Sequence, residues 1–366
     1  MALTRIQPPA IADVREPNFR NIIINDDMAV AQRTTSTASI TSAGFKTVDR
    51  FYTGVTTAGT WTQSQDTDVP SGEGFATSLK MDCTTADGSL AAGDLVQLVQ
   101  YVEGQNLQYL KWGTAYAQSL TLSFWVKSVL TGTYIAELRN SDNTRTICAS
   151  YTISSGSTWE KKTITFAGDT TGALGNDNGN ALQVEWWFIA GSTYSGGAVP
   201  TSWEATATTD RCATSVNLSS STSNYLNMTG IQLEAGSVAT DFEVVSYPQN
   251  LQRCLRYCLI VGDTPDGNDF SKEANVGMYF TTTGFYGNTF FQTPMRSTPT
   301  ASIQGGVDAA KTYSNGSSRT STGVSLDGAS RSNMSFAITT SSATAGDAGT
   351  FNWNGAGHYC IISAEL

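Results

Sequence analysis

The sequence predicts an all-β protein: a jelly-roll β-sandwich followed by one short helix and a second, smaller β domain. Three observations carry this expectation. Only 14% of the 366 residues are charged, while 34 are Gly and Ser, Thr and Asn are abundant; small polar residues favour turns and pleated strands over helix interiors. Short apolar runs recur between clusters of Gly, Asn, Asp and Ser, the texture of sandwich strands. Helical crossovers are missing, which argues against a parallel sheet, and no fixed-period repeat appears, which argues against a β-helix or propeller.

The elements follow in chain order. Residues 1–17 carry Pro8, Pro9 and Pro17 and read as an extended N-terminal attachment arm, with a loose terminus as the competing reading. Residues 18–246 hold the jelly roll, with strand candidates at 21–25, 28–32, 74–81, 95–103, 120–128, 134–140, 146–153, 158–166, 182–190 and 227–234. Two of these alternate clearly. Leu120, Leu122, Phe124 and Val126 share one face against Thr121, Ser123, Trp125 and Lys127, and Val184, Trp186 and Phe188 oppose Glu185, Trp187 and Ile189. The second set of each strand places Trp125 and Trp187 together on a face that also carries Lys127 and Glu185. Residues 247–366 hold the helix and the C-terminal β domain. Apolar residues at 251, 254, 255, 258 and 259 form the i, i+3, i+4 stripe of a helix over 250–261. Strands are expected after it at 274–286, 288–295, 301–304, 322–326, 333–339 and 358–365, joined by Gly/Ser/Thr-rich connections at 262–272, 305–322 and 339–349.

Composition excludes several functions. A net charge of −10 without a basic run disfavours binding to a phosphate backbone, so no nucleic-acid partner is expected. The single histidine, His358, is the one place where a Ser-His-Asp triad or histidine-rich metal site would be built, so His chemistry is not expected. The six cysteines at 83, 148, 212, 254, 258 and 360 show neither zinc spacing nor a disulfide framework, and Cys254 and Cys258 are expected on one helix face. No apolar run is long enough for membrane insertion, and no signal peptide is apparent, so synthesis in a cytoplasm without Sec-type export is expected.

Several stretches resemble the tail-fibre or receptor-binding virion proteins of tailed bacteriophages. They are Asn21-Ile-Ile-Ile-Asn-Asp-Asp-Met-Ala-Val-Ala-Gln-Arg33 with Thr47-Val-Asp-Arg-Phe51, Lys111-Trp-Gly-Thr-Ala115 with Ser123-Phe-Trp-Val-Lys127, and Thr158-Trp-Glu-Lys-Lys-Thr-Ile-Thr-Phe166 with Gly168-Asp-Thr-Thr-Gly172. Ile231-Gln-Leu-Glu-Ala-Gly-Ser-Val-Ala-Thr-Asp-Phe-Glu243 closes the module, and Cys254-Leu-Arg-Tyr257 and Pro294-Met-Arg-Ser-Thr-Pro299 resemble the region near a fibre tip. The resemblance covers most of residues 18 to 300. It implies a carbohydrate-binding-module-like jelly roll, a second β domain as the distal tip, and a homotrimer on a virion, attached to other virion proteins through the arm. One departure is Asp26-Asp27 where the pattern has Gly-Asp, which questions whether the turn needs φ > 0 there.

The function this implies is host adsorption by binding surface polysaccharide. Aromatic faces stack on the apolar faces of sugars while amide, carboxylate and hydroxyl groups take the hydroxyls. The candidates are Trp125, Trp187, Tyr109 and Trp203, with Glu185, Arg139 and Asn140 as polar partners; packing against the other sheet or a neighbouring subunit is the competing role, and Trp112 reads as structural. Asp26, Asp27 and Glu234 or Glu243 offer oxygens for a structural Ca²⁺, the one cofactor considered, with exposed acids as the simpler reading. Asp66, Asp68, Glu73, Asp169, Asp177 and Asp210 lie in turn contexts where Asp shapes loops, so a non-enzymatic protein is expected. The alternatives are a head decoration or connector-level structural protein and, third, a polysaccharide depolymerase.

Overall fold

The computed structural model describes residues 20–213, 216–264 and 275–366, together with the backbone of 269–270. The expected attachment arm, 1–17, lies outside the described residues, as does part of the expected 262–272 connection. The described residues form an all-β protein with a jelly-roll β-sandwich first and a second β unit after a short helix. No described helix is long and apolar enough to cross a membrane.

The sandwich is built from β1 (Ser36–Phe45), β2 (Tyr52–Asp66), β3 (Ser78–Thr85), β4 (Leu95–Glu103), β5 (Leu120–Ser128), β6 (Gly132–Asn140), β7 (Arg145–Ile153), β8 (Glu160–Phe166), β9 (Asn180–Ala190), β10 (Glu204–Ala205) and β11 (Tyr225–Ala235). Their antiparallel order is β10-β7-β6-β9-β4-β2-β3-β11-β5-β8, with β1 on β2. The 15-residue β2 joins the two layers: its first half pairs with β4 and its second with β3. The bend lies at Thr57 (φ 50°) and Gly59 (φ 75°); a Cβ on Gly59 would sit 2.5 Å from the Thr85 carbonyl oxygen, so only glycine fits.

The alternation read from β5 holds, because Leu120, Leu122, Phe124 and Val126 are all fully buried. From β9, Val184 and Trp186 enter the same core, where Phe124 meets Trp186 edge-on at 6.0 Å and Tyr151 at 5.1 Å. Beyond Trp187 the register shifts, with Val96 paired to Ile189 and Gln97 to Trp187. Phe188 lies in the bulge, and both it and Ile189 join the core.

Segment 21–33, expected to carry two strands, has none. Asn25 (φ 62°) and Met28 (φ 60°) are left-handed, and side chains supply the hydrogen bonds a ladder would give. Gln100 bonds both the amide and the carbonyl of Ile24, while Asn25 bonds Val30 and Asp49. Positive φ thus falls on either side of Asp26-Asp27, and no glycine is required at Asp26. Besides the single-turn α1 (Ser192–Ser195), the expected helix appears as α2 (Tyr247–Leu255), shorter than the stripe suggested.

The chain continues as β12 (Cys258–Asp263), so Cys254 and Cys258 lie on different elements. Then come β13 (Asp269–Phe270), β14 (Asn275–Tyr279), β15 (Gly284–Phe290), β16 (Thr300–Ile303), β17 (Ala310–Ser314), β18 (Ser317–Thr320), β19 (Gly323–Ala329), β20 (Asn333–Thr339), β21 (Ala348–Trp353) and β22 (His358–Ser363). A four-stranded sheet, β13-β12-β22-β16, packs on a seven-stranded one, β18-β17-β21-β14-β15-β20-β19, around Val261, Phe285, Phe336, Phe351, Trp353 and Ile362. The hairpin β17-β18 replaces part of the connection expected at 305–322.

Charged groups fasten this unit to the sandwich. Glu365 accepts from Arg33 (3.2 Å) and Arg50, Arg50 lies over the Tyr257 ring at 3.4 Å, and Arg256 forks onto Glu103 at 2.7 and 2.6 Å. The Arg256–Glu103 pair is a forked, partly desolvated contact of the stronger kind.

Candidate functional site

Phe124 and Trp186 meet across the core, so their neighbours Trp125 and Trp187 point away from each other on opposite outer faces. The expectation that the two indoles share a face is therefore corrected. Alternation along a strand fixes a side, but two strands of a sandwich bring opposite outer sides to solvent. Trp125 is half-buried beside Thr229 and Lys161 on the β11-β5-β8 face.

Trp187 is fully buried. Segment 191–213 folds over it, so that Tyr194 lies 5.5 Å away, the Arg211 guanidinium 4.9 Å above the indole, and the Trp187 Nε1 donates to Glu137 at 2.9 Å. Glu185, also fully buried, stands opposite Glu137 in the β6-β9 ladder. Arg211 joins the two carboxylates, its Nε donating to both Glu137 oxygens (3.0 and 3.1 Å) and its Nη2 to Glu185 (2.7 Å). Burial, with the Glu137 charge beside it, pushes the Glu185 carboxyl up.

The open part of this face continues across β6, β9, β4, β2 and β1. Arg139, Gln183 and Tyr101 follow one another in register. Tyr101 meets Tyr52 at 5.6 Å, and Tyr52 meets Phe45 at 5.3 Å, all edge-on and each half-buried. The row thus sets three aromatic rings beside a guanidinium and an amide. Arg139 Nε and Glu185 Oε1 are buried and have no hydrogen-bond partner among the described residues. Burial raises the Tyr101 phenol well above its ordinary value, and the charges of Glu185, Arg139 and Arg211 reach it. At ordinary pH this hydroxyl is neutral and can donate.

Tyr101 also borders a cleft of about 370 Å³ between the sandwich and α2, lined by Ile22, Ile24, Asn106, Tyr109 and Arg256 among others. The sequence candidate Tyr109 is placed here. Trp203 lies elsewhere, edge-on to the buried Trp112 at 4.9 Å with its Nε1 donating to Ala167; Trp112 is structural, as read from the sequence. Asn140, the last residue of β6, is fully buried and holds the Gly172 carbonyl at 3.0 Å, so it supports a loop and is not a sugar contact. Of the sequence candidates, the structure brings together Trp187, Glu185 and Arg139, with Trp187 covered.

Tyr101, Tyr52, Phe45, Gln183, Glu137 and Arg211 had no local signal. Tyr52 and Phe45 lie in Thr/Ser/Gly-rich strands, and Arg211 reaches Glu137 from 74 residues away. Only the sheet order joins them.

The expected cation site is not assembled. Asp26 is buried against Asn21 (2.5 Å), Asp27 accepts from Ala29 and Asn250, and Glu243 accepts the Asn21 amide at 2.7 Å. Glu234 takes Thr240 and Arg20. Each carboxylate is committed to protein donors, Asn21 serving both Asp26 and Glu243, and no three His, Cys, Asp or Glu side chains converge among the described residues. Burial, reinforced by the neighbouring Asp27 charge, pushes Asp26 up to about 7. Asp66, Asp169 and Asp177 each accept a backbone amide two residues on, the loop-shaping role expected of them.

No protein-family model matches the chain, and no curated protein matches it in sequence. Among solved structures, the enzymatically active domain of bacteriophage CBA120 tailspike protein 4 aligns at 13% identity with a TM-score of 0.32 over 59% of this chain; the chain spans only 22% of that protein's length. A sugar-binding protein from Bacteroides thetaiotaomicron aligns at 11% identity and TM-score 0.31, over 59% of this chain and 99% of that one. A family 11 carbohydrate-binding module from Clostridium thermocellum, in complex with a β-1,3-1,4-mixed-linked tetrasaccharide, aligns at 11% identity and TM-score 0.26, over 59% and 96%. At such identities and scores the likeness is distant.

Proposed function

We propose that this chain is a structural fibre or spike subunit of a tailed-bacteriophage virion that mediates adsorption by binding a host-surface polysaccharide without turning it over. The observation that carries the binding reading is the row Phe45, Tyr52, Tyr101 across three neighbouring strands, set beside Gln183 and Arg139. Apolar rings in line with donors and an acceptor suit the amphipathic faces of a saccharide, and a sheet face offers them at strand spacing. This moves the site from the Trp125 and Trp187 pair to the Tyr101 face. In this reading the first 17 residues attach the chain to other virion proteins, the C-terminal β unit is distal, and three copies associate so that weak single sites act together. No cofactor is needed, since binding of this kind uses side chains alone.

The test is a panel of host envelope polysaccharides offered to the purified chain, with reducing-end release followed in parallel. Saturable binding to one polysaccharide without new reducing ends is the expected result. Release of reducing ends would replace this reading with a depolymerase, and immunogold labelling confined to the capsid would replace it with a head decoration protein.

A further inference from the structure

The outer face of the seven-stranded sheet carries large apolar side chains that nothing in the described chain covers. On β14 and just beyond it, Val276, Met278 and Phe280 are 52%, 46% and 71% exposed, and on β15 Tyr286 and Phe290 are 41% and 67% exposed. Their alternate neighbours Tyr279, Phe285 and Thr289 fill the inside of the same strands. The five form one patch: Met278 stands opposite Tyr286, Phe280 meets Tyr286 edge-on at 5.9 Å, and Phe290 follows Asn288, the partner of Val276. The adjoining positions Asn288, Asn333, Ser335 and Ala337 are also uncharged.

We infer that this face packs against the same face of other copies of the chain; the inference rests on the self-association proposed above and locates it. At roughly 200 Å² per fully exposed aromatic side chain, the three rings leave about 350 Å² open, and Val276 and Met278 raise the patch to about 500 Å². A stable interface covers about 800 Å² on each partner, and about 65% of a homodimer interface is apolar, so the patch supplies roughly the apolar share of one such contact. Charge selects the occupant. Each copy carries a net −10, so copies repel through most of their surface, while a patch whose neighbours on β15 and β20 are uncharged lets them meet there without a like-charge penalty.

The experiment is the solution mass of the full chain, by light scattering after gel filtration at about 10 μM, for wild type and for Phe280→Ser plus Phe290→Ser. Both positions are exposed, so the variant is expected to keep the wild-type melting curve. The expected result is a wild-type multiple of 38.9 kDa that falls to the monomer in the variant, with single-site saccharide affinity unchanged. A wild-type oligomer that persists in the variant overturns this placement and leaves the self-association reading standing. A wild-type monomer overturns both and assigns the face to another occupant, the first 17 residues or a different virion protein.

Discussion

Replacing Arg211 by Met removes the one cation among the described residues that hydrogen-bonds both Glu137 and Glu185 and leaves two fully buried carboxylates facing each other across a ladder. Three charge-assisted hydrogen bonds are lost, at 2.7, 3.0 and 3.1 Å, together with the guanidinium over Trp187. Breaking a buried ion pair from one side costs about 3–5 kcal/mol, because the partner stays desolvated without its counter-charge. Glu185 already has a raised pKa and can take a proton in response, which places the expected loss near the lower end, about 3 kcal/mol. For a unit of this size that lowers the melting temperature by roughly 6–12 °C. Thermal and urea unfolding measure it, and Arg211→Met combined with Glu185→Gln should recover part of the loss, since one buried charge is then gone. A loss below about 1 kcal/mol, the range of an exposed pair, would refute the view that segment 191–213 is anchored by Arg211.

Three further outcomes follow from the same structure. Burial holds Asp26 at about 7 and Asp49 at about 6, both above the unfolded value, so these groups favour the folded state most below about pH 4 and their contribution is lost progressively as pH rises from about 4 to about 7; unfolding titrations of Asp26→Asn should show a flatter slope in that window, and an unchanged slope would refute it. All six cysteines are free and buried, and burial raises the Cys148, Cys254 and Cys258 thiols, so a thiol reagent should label essentially none in the native chain and six after unfolding. Trp187→Ala empties a packed site and should cost about 3–5 kcal/mol in urea unfolding, whereas Trp125→Ala, on a half-exposed outer face, should cost far less; equal losses would contradict the assignment of the two indoles to different environments.

Where side chains alternate in strong contrast, the sequence was legible. Strand β5 could be read residue by residue, and β9 as far as Trp187, because burying one face requires that pattern. The bulge after Trp187 left no trace in the spacing, since Phe188 and Ile189 are both apolar and either suits the core. The 21–33 segment reads as strand from its isoleucines, yet its backbone is satisfied by Gln100 and Asn25 side chains that local sequence does not announce. The stripe over 250–261 fits both a helix and a buried strand; the chain turns at Arg256 because Cys258–Asp263 has a ladder partner in β22, 95 or more positions later. Among site residues, Glu185 and Trp187 were found because they lie on a strand with a clear period, and Arg139 because it lies near the end of the strand candidate at 134–140 that pairs with it. Their cover and their aromatic neighbours come from β1, β2, β4 and the 191–213 segment, and only tertiary pairing relates those to β9.

The account rests on the Tyr101 face as the saccharide site, and calorimetric titration of the selected polysaccharide's oligosaccharide into Tyr52→Ala plus Tyr101→Ala tests it most directly. Losing two stacking rings at about 1 kcal/mol each predicts roughly 30-fold weaker binding with an unchanged melting curve, while Trp125→Ala binds as wild type. Full affinity in the tyrosine variant, or its loss in Trp125→Ala, would contradict the account and return the site to the opposite face of the sandwich.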